Sequence, residues 1–540
     1  MRISSVPYFN HLREIDVAAL TAAILSIALG VASSHALNAD GVSYLDLASA
    51  VRDGDWARFV QGYWSPLYPL LLAAVGAFAP GDVASLLAVT HALNVLIALV
   101  GIALIWARFR PLQSPLPARL ALSAWLLCSA RPPRVDALTP DLLLTVLILA
   151  MALELIGDRR PFRLGVVLGA IFLAKSSSWP WIIVVLVLHA WRSRERLAAL
   201  RTTALTCAAV MLLWIVPLSV KMGAPTVETA SALNACWYLR ACDSRTPDTH
   251  AGEHRDYRQT IVEDKTLLWA AFDSTRWTYA PWSDPTAWAA GVRTKSELTP
   301  TVGSLLSYWG RLLGTGLRFW LWPMILGVML PALLIRRWSV GGRDLAAHDR
   351  SAIAVTVAGA LGVGQFFLIH AEPRLIGPYL LCLAVGTIAI CVPPSDPTAE
   401  PARVKKARGW SGSRRVIALS YAGYLIAIPL AVMSLRDAFN QRRDLNNRER
   451  AIGGLLAPLR ESKIDRPRIV LIGYALPVLS DAWRANARIV AQVRPSSALQ
   501  LSKLPAAEAQ RISAIAFAHS ADVLWFAGAD GSIRMAPVIR

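Results

Sequence analysis

Several features are scarce or missing in this chain, and each absence removes a class of protein. Cysteine is rare, six in 540 residues, and four of the six (Cys128, Cys207, Cys382 and Cys391) lie inside apolar runs. There a thiol behaves as a small hydrophobe, so a disulfide-stapled secreted scaffold is excluded. Only Cys236 and Cys242 sit close together in a polar segment; in an oxidising compartment they could pair, and a pair of free thiols fits equally. The nine histidines form no metal-spaced cluster with Cys or carboxylates. No Walker loop, Gly-rich dinucleotide turn or internal repeat occurs, which argues against an ATP-driven pump. Acidic residues are also scarce, 36 against 55 Lys+Arg.

What the chain has in abundance is grease. It is 55% hydrophobic, its mean hydropathy is +0.44, and apolar runs recur along its first four-fifths. That is too much for a soluble protein of this length, so the composition predicts a polytopic α-helical membrane protein. The apolar runs lie at about 17–34, 82–107, 117–131, 139–156, 164–177, 178–191, 202–220, 313–335, 351–370, 374–392 and 416–434, about eleven spans. The first has no small-residue cleavage site behind it and reads as a retained helix.

The net charge of +19 would suggest nucleic acid in a soluble protein. Here it reads as topology, and no nucleic-acid partner is expected. Basic clusters at Arg108, Arg110 and Arg119; Arg159, Arg160 and Arg163; Arg192 to Arg201; Arg336, Arg337 and Arg343; and Lys405 to Arg415 fall at alternate connections. One topology puts all five in the cytoplasm. The run Trp64 to Phe78 would break that alternation if it crossed. It is therefore expected to lie on the outer membrane surface, with Pro66 and Pro69 at its start and an aromatic edge at Trp64 and Tyr68.

Two domains follow: a transmembrane unit over 1–435, with outer loops at 35–81 and 221–310, and a small extracytoplasmic α/β domain over 436–540. The first outer loop is expected to hold two juxtamembrane helices, at 42–52 and 66–78. In the tail, apolar runs "RIVLIGY", "ARIVAQV" and "ADVLWFAG" alternate with helical stretches, which is the pattern of strands and helices in turn.

Four charged features converge on the outer face under this topology: Asp40 in "NADGVSYLDLASAVRDGDW"; Asp141 in "ALTPDLLLTVLIL"; Lys175 in "FLAKSSSWPW"; and His370, Glu372 and Arg374 in "IHAEPRLIGPYL". Each has an ordinary explanation beside a functional one. Asp40 and Asp141 suit helix N-termini. Lys175 and Arg374 suit snorkelling anchors. Arg131 and Arg134 run against the positive-inside trend, and an outward pair of arginines asks for an anion, either a lipid headgroup or a substrate phosphate.

Taken together, "NADGVSYLDLASAVRDGDW", "GYWSPLYPLLLAAVGAF", an Asp opening a later span, "FLAKSSSWP" and "HAEPRLIGPYL" resemble the glycosyltransferase C superfamily, which includes protein O-mannosyltransferases and lipid A aminoarabinose transferases. The resemblance covers about residues 10–435. It implies a bacterial inner-membrane enzyme that takes a sugar from a polyprenyl-phosphate-linked donor, inverts it, and passes it to a glycan, lipid or protein acceptor outside the cytoplasm. Asp40 matches the catalytic base of such enzymes. Many members carry two acids in tandem there, whereas Gly41 follows Asp40 in this chain. By the chemistry implied, Lys175, Arg374, Arg131 and Arg134 would stabilise the departing phosphate, and Tyr44, Trp64, Tyr68, Asp141, His370 and Glu372 would line or position the cavity. No metal or other cofactor is expected. The rival expectation is a transporter or flippase of a lipid-linked saccharide, which would also want outer-face cations; against it stand the lack of pseudo-symmetric halves and the gathering of polar groups at one face.

The topology makes its own prediction. Reporter fusions after residue 435 should be active only as periplasmic reporters, and a cytoplasmic signal would move the site to the other face with them.

Overall fold

The computed structural model describes residues 8–79, 82–109, 116–129, 135, 137–157, 160–192, 196–231, 233–234, 257–258, 267–272, 277–285, 325–329, 347–369, 373–391, parts of 421–443, 467–473, 479–495, 523–527 and 533–537. Helices dominate. The long ones are α1 (Tyr8–Ala32), α5 (Val83–Phe109), α6 (Leu116–Ser129), α7 (Asp141–Ile156), α8 (Pro161–Ala174), α9 (Trp179–Arg192), α10 (Arg196–Met222), α12 (Ala347–Ile369) and α13 (Pro373–Cys391). Among the described residues, Val83–Phe109 and Leu197–Met222 are long and apolar enough to cross a membrane by length and composition alone, and several shorter apolar helices pack with them. The expected span at 313–335 is described only over Ile325–Met329, and that at 416–434 only in part.

These helices form one bundle. α12 packs along α13, α8 along α10, α13 against α7, and α1 against α5, around a core that includes Trp125, Trp181, Phe172 and Tyr379. Outward-facing positions are apolar too: Val17, Leu20, Ile24 and Val31 of α1 and Leu197, Leu205, Leu213 and Val220 of α10 are all more than half exposed. An apolar skin of that extent suits lipid and not water.

The first loop contains both expected juxtamembrane helices, α2 (Ala39–Arg52) and α4 (Leu67–Gly76), with a single turn, α3 (Trp56–Phe59), between them. Asp55 starts α3 by accepting the Arg58 backbone N–H at 3.2 Å. Pro66 precedes α4, where its missing donor is no loss. α2 begins three residues earlier than the sequence pattern indicated, so that Asp40 lies inside its first turn and not ahead of it.

The expected boundary between the fifth and sixth spans also shifts. α8 stops at Ala174, where Lys175 turns extended (φ −151°, ψ 95°), and a short 3₁₀ turn, Ser176–Ser178, reverses the chain into α9. At 14 residues each, α8 and α9 run only about 21 Å. That is less than a ~30 Å hydrocarbon core. Ser65, just ahead of α4, reaches the corner: it accepts the Ser176 backbone N–H at 2.7 Å and donates to Ser176 Oγ at 3.1 Å.

The expected tail strands occur as β3 (Arg468–Gly473), β4 (Arg488–Pro495) and β5 (Val523–Ala527), joined by β6 (Ile533–Pro537) and, between β3 and β4, by α14 (Leu479–Arg484). The sheet does not belong to the tail alone. Two strands from the second outer loop, β1 (Tyr257–Arg258) and β2 (Leu267–Phe272), complete a six-stranded sheet of order β1-β2-β4-β3-β5-β6. β4, β3 and β5 run parallel at its centre, while β1, β2 and β6 pair antiparallel at its edges. One loop turn, α11 (Ala280–Ser283), and Val42 of α2 share an apolar core with β3, α14 and β4. α2 therefore lies between two cores, the bundle on one side and the sheet on the other.

Candidate active site

The site forms where α2 meets the ends of three bundle helices. Asp40, in the first turn of α2, accepts a hydrogen-bonded ion pair from Arg374 Nη1 at the start of α13. Asp141, the first residue of α7, is 1% exposed and accepts from Lys175 Nζ at 2.7 Å. The two carboxylates had suited helix N-termini and the two cations had suited lipid anchors; here they neutralise one another across helices 334 and 34 residues apart in sequence. A charge this far from water needs such a partner.

Tyr44 stands between the pairs. Its ring packs edge-on against Trp64 (centroids 5.0 Å apart) and Tyr68 (5.4 Å). Burial raises its pKa well above the ordinary phenol range, and the carboxylates of Asp141 and Asp40 raise it further while Arg374 lowers it. Its hydroxyl thus stays protonated within reach of the field of both acids. Tyr68, fully buried, donates to Asn94 Oδ1 at 2.9 Å, and Asn94 Nδ2 in turn donates to the carbonyls of Val135 and Ala137. This chain of bonds fixes the approach to α7 from α5. His91 Nε2 contacts the Ala36 carbonyl at 2.8 Å and holds the corner ahead of α2.

The structure thus brings Asp40, Tyr44, Trp64, Tyr68, Asp141, Lys175 and Arg374 into one neighbourhood. Arg131, Arg134, His370 and Glu372, and with them Cys236 and Cys242, lie outside the described residues. Among the described residues no group of His, Cys, Asp or Glu has the arrangement of a metal site. In chemical terms the neighbourhood offers a carboxylate able to take a proton, two cations able to hold an anion, and a buried phenol able to donate.

Asp46, six residues after Asp40 in the same motif, is not among the site residues the sequence singles out. The structure buries it: Asp46, 7% exposed, accepts from the Thr278 backbone N–H (3.0 Å), Thr278 Oγ1 (2.9 Å) and Ser283 Oγ (2.9 Å). Burial raises its pKa above the ordinary carboxylate value, although the bonds from Thr278 and Ser283 pull the other way. The signal available in the sequence was its setting, one acid flanked by Tyr44, Leu45, Leu47 and Ala48.

Gly41 explains the missing second acid. A Cβ there would lie 2.8 Å from Asn38 Oδ1, 2.9 Å from Leu138 Cβ and 3.0 Å from Leu37 Cδ1, closer than side chains tolerate. α2 approaches the segment ahead of α7 too tightly for any side chain at this position.

No family model and no curated protein matches the chain. Its layout is similar to that of ArnT from Cupriavidus metallidurans bound to undecaprenyl phosphate, with a TM-score of 0.38, 14% identity, and 88% of this chain and 85% of that one covered. The apo state of the same protein gives a TM-score of 0.40 at 12% identity, covering 95% and 92%. The likeness is one of layout alone.

The contacts at Gly41 predict that Gly41→Ala lowers thermal stability, by the ~1–3 kcal/mol that overpacking costs, and that Gly41→Glu is worse. A melting temperature for Gly41→Glu equal to wild type would show that α2 does not approach Leu138 as described.

Proposed function

We propose that the chain is a membrane glycosyltransferase that moves a sugar from a polyprenyl-phosphate-linked donor to an acceptor on the extracytoplasmic face. The observation that carries this is the pair of ion pairs, Asp40 with Arg374 and Asp141 with Lys175, gathered about Tyr44 at the end of the bundle. Together with the motif resemblance, that arrangement answers the demands of the reaction. The acceptor hydroxyl must lose a proton, the glycosidic carbon must be attacked, and the bond to the phosphate must break.

Asp40 takes the acceptor proton as the new carbon–oxygen bond forms. The polyprenyl phosphate leaves with the electron pair of the broken bond, and its growing negative charge is met by Arg374 and Lys175. With no donor bound, Arg374 is engaged by Asp40. A phosphate arriving beside it competes for the guanidinium, and as Arg374 swings to the phosphate it vacates the oxygen of Asp40 that must receive the proton. Asp141 keeps Lys175 oriented, and Tyr44 supplies a protonated hydroxyl to the same space. Arg131 and Arg134 are candidates for further phosphate contacts, and His370 and Glu372 for acceptor contacts. The large outer loop and the 436–540 domain, whose described parts pack against α2, are the candidates for acceptor choice. The inner membrane of a bacterium, with the site facing the periplasm, is the location this chemistry fits.

Undecaprenyl phosphate carrying a radiolabelled sugar, supplied to the purified protein in nanodiscs, distinguishes an enzyme from a flippase: an enzyme releases undecaprenyl phosphate and labels an acceptor, whereas a flippase moves the intact donor between leaflets of a vesicle. Asp40→Asn keeps the size of the side chain but takes no proton and releases Arg374 from its anion, so transfer should fall ~10²–10⁴-fold while donor binding is kept or tightened. If Asp40 merely supports the helix start, Asn serves about as well and turnover stays within a few-fold of wild type. For the phosphate, Arg374→Lys should cost ~10–100-fold in transfer, the worth of a charge-assisted bond of about 1.5–3 kcal/mol, because Lys cannot present a planar fork. Unchanged donor affinity and turnover in Arg374→Ala would remove it from the site.

A further inference from the structure

The second outer loop crosses over α2 as a short bracket, residues 277–284, and the bonds that hold it run to both of its neighbours. On the α2 side, Asp46 accepts from the backbone and the side chain of Thr278 and from Ser283 Oγ, and Ser43 Oγ donates to the Trp282 carbonyl at 3.2 Å. From the approach to α4, Gln61 Nε2 donates to the Ser283 carbonyl at 2.8 Å and Trp64 Nε1 to the Trp282 carbonyl at 3.1 Å. On the far side, the Ile489 backbone N–H of β4 donates to the Thr278 carbonyl at 3.0 Å. A second tie joins the sheet unit to the corner ahead of α2, where Arg484 of α14 donates to the His35 carbonyl. Thr278 is thus bonded to β4 through its carbonyl and to α2 through its N–H and hydroxyl.

Asp46 is the only carboxylate among these groups, and it faces inward between two apolar cores. A buried carboxylate left with fewer donors is costly, so the three bonds hold more firmly than three neutral ones of the same length. Asp46 also follows Asp40 by six residues on the same helix, about 9 Å along its axis. The bonds at Asp46 are therefore one of the fastenings that fix the rotation and height of α2, and with them the position of the Asp40 carboxylate.

We propose that Asp46 is a positioning residue for the transfer reaction: it fastens the 277–284 bracket, and through it the extracytoplasmic sheet, to the helix that presents Asp40. This rests on the assignment of Asp40 as base. It gives the sheet unit a part in turnover beyond any contact it makes with the acceptor, since loosening the bracket moves the base. Misplacement of a reacting group by about 1 Å costs ~10²-fold in rate.

The test uses full-length protein in nanodiscs with radiolabelled undecaprenyl-phosphate-linked sugar, and reads turnover, donor KM and backbone hydrogen exchange over residues 39–46. Asp46→Ala should speed that exchange and lower kcat ~10²-fold with donor KM within about threefold of wild type. Asp46→Asn, which still accepts from Thr278, should recover most of kcat, whereas Asn at position 40 should not. Thr278→Val should lower kcat in the same direction, and the double variant Asp46→Ala with Thr278→Val should be little worse than Asp46→Ala, because the bond lost in Thr278→Val is one of the three already lost in Asp46→Ala. Additive losses, or unaltered kcat in a folded Asp46→Ala protein, would overturn the proposal. So would unaltered exchange over 39–46. If wild-type protein transfers no sugar, the glycosyltransferase assignment fails by itself, and the exchange measurement still decides whether Asp46 fastens α2. Should Asp46→Ala not fold, Thr278→Val and Asp46→Asn carry the same comparison.

Discussion

Charges enclosed among apolar helices must be matched, and this protein is organised around two such matches. Asp40 with Arg374 and Asp141 with Lys175 join a juxtamembrane helix and three bundle helices at one point. Without those pairs, the apolar packing of the bundle would still form, but it would have no reason to bring these four ends together. Burial of an unpaired carboxylate such as Asp141 costs several kcal/mol. The pairing therefore fixes the junction, which is the candidate site.

On the proposed function, the same pairing would make the site neutral when empty and responsive when occupied. An entering phosphate would find two cations that already have partners, so binding would be an exchange of anions and not the filling of a waiting positive pocket. The cost of the exchange would fall on Asp40, which would lose a partner as the donor arrives and gain the acceptor proton as the reaction proceeds. Binding and activation of the base would then be one event. A site with free cations would bind phosphate more tightly but would lack that coupling.

Much of this was legible in the sequence, for a physical reason: a charge within or beside an apolar run is conspicuous, so Asp40, Asp141, Lys175 and Arg374 stood out before any geometry was known. The partners were not legible, because sequence shows that a buried charge needs a counter-charge without showing which. Asp46 did not stand out because the same motif holds Asp53 and Asp55, which bond locally to Ser49 and to the Arg58 backbone N–H. The helix at 42–52 was found but begun too late, because Gly41, a poor helix former, interrupts the pattern just ahead of Val42. Strands β3, β4 and β5 were readable from alternating apolar runs, whereas β2, the stretch "LLWAAF", pairs over most of its length with β4, more than 200 residues on. Register across such a separation leaves no local trace.

The claim that most of this account depends on is that Arg374 passes from Asp40 to a lipid phosphate. A structure of the protein in nanodiscs with undecaprenyl phosphate bound tests it directly. The account predicts the phosphate in contact with Arg374 and Lys175, with the Asp40–Arg374 contact opened and the Asp40 carboxylate facing the space beside the phosphate. A phosphate bound elsewhere, with both ion pairs intact, would contradict it.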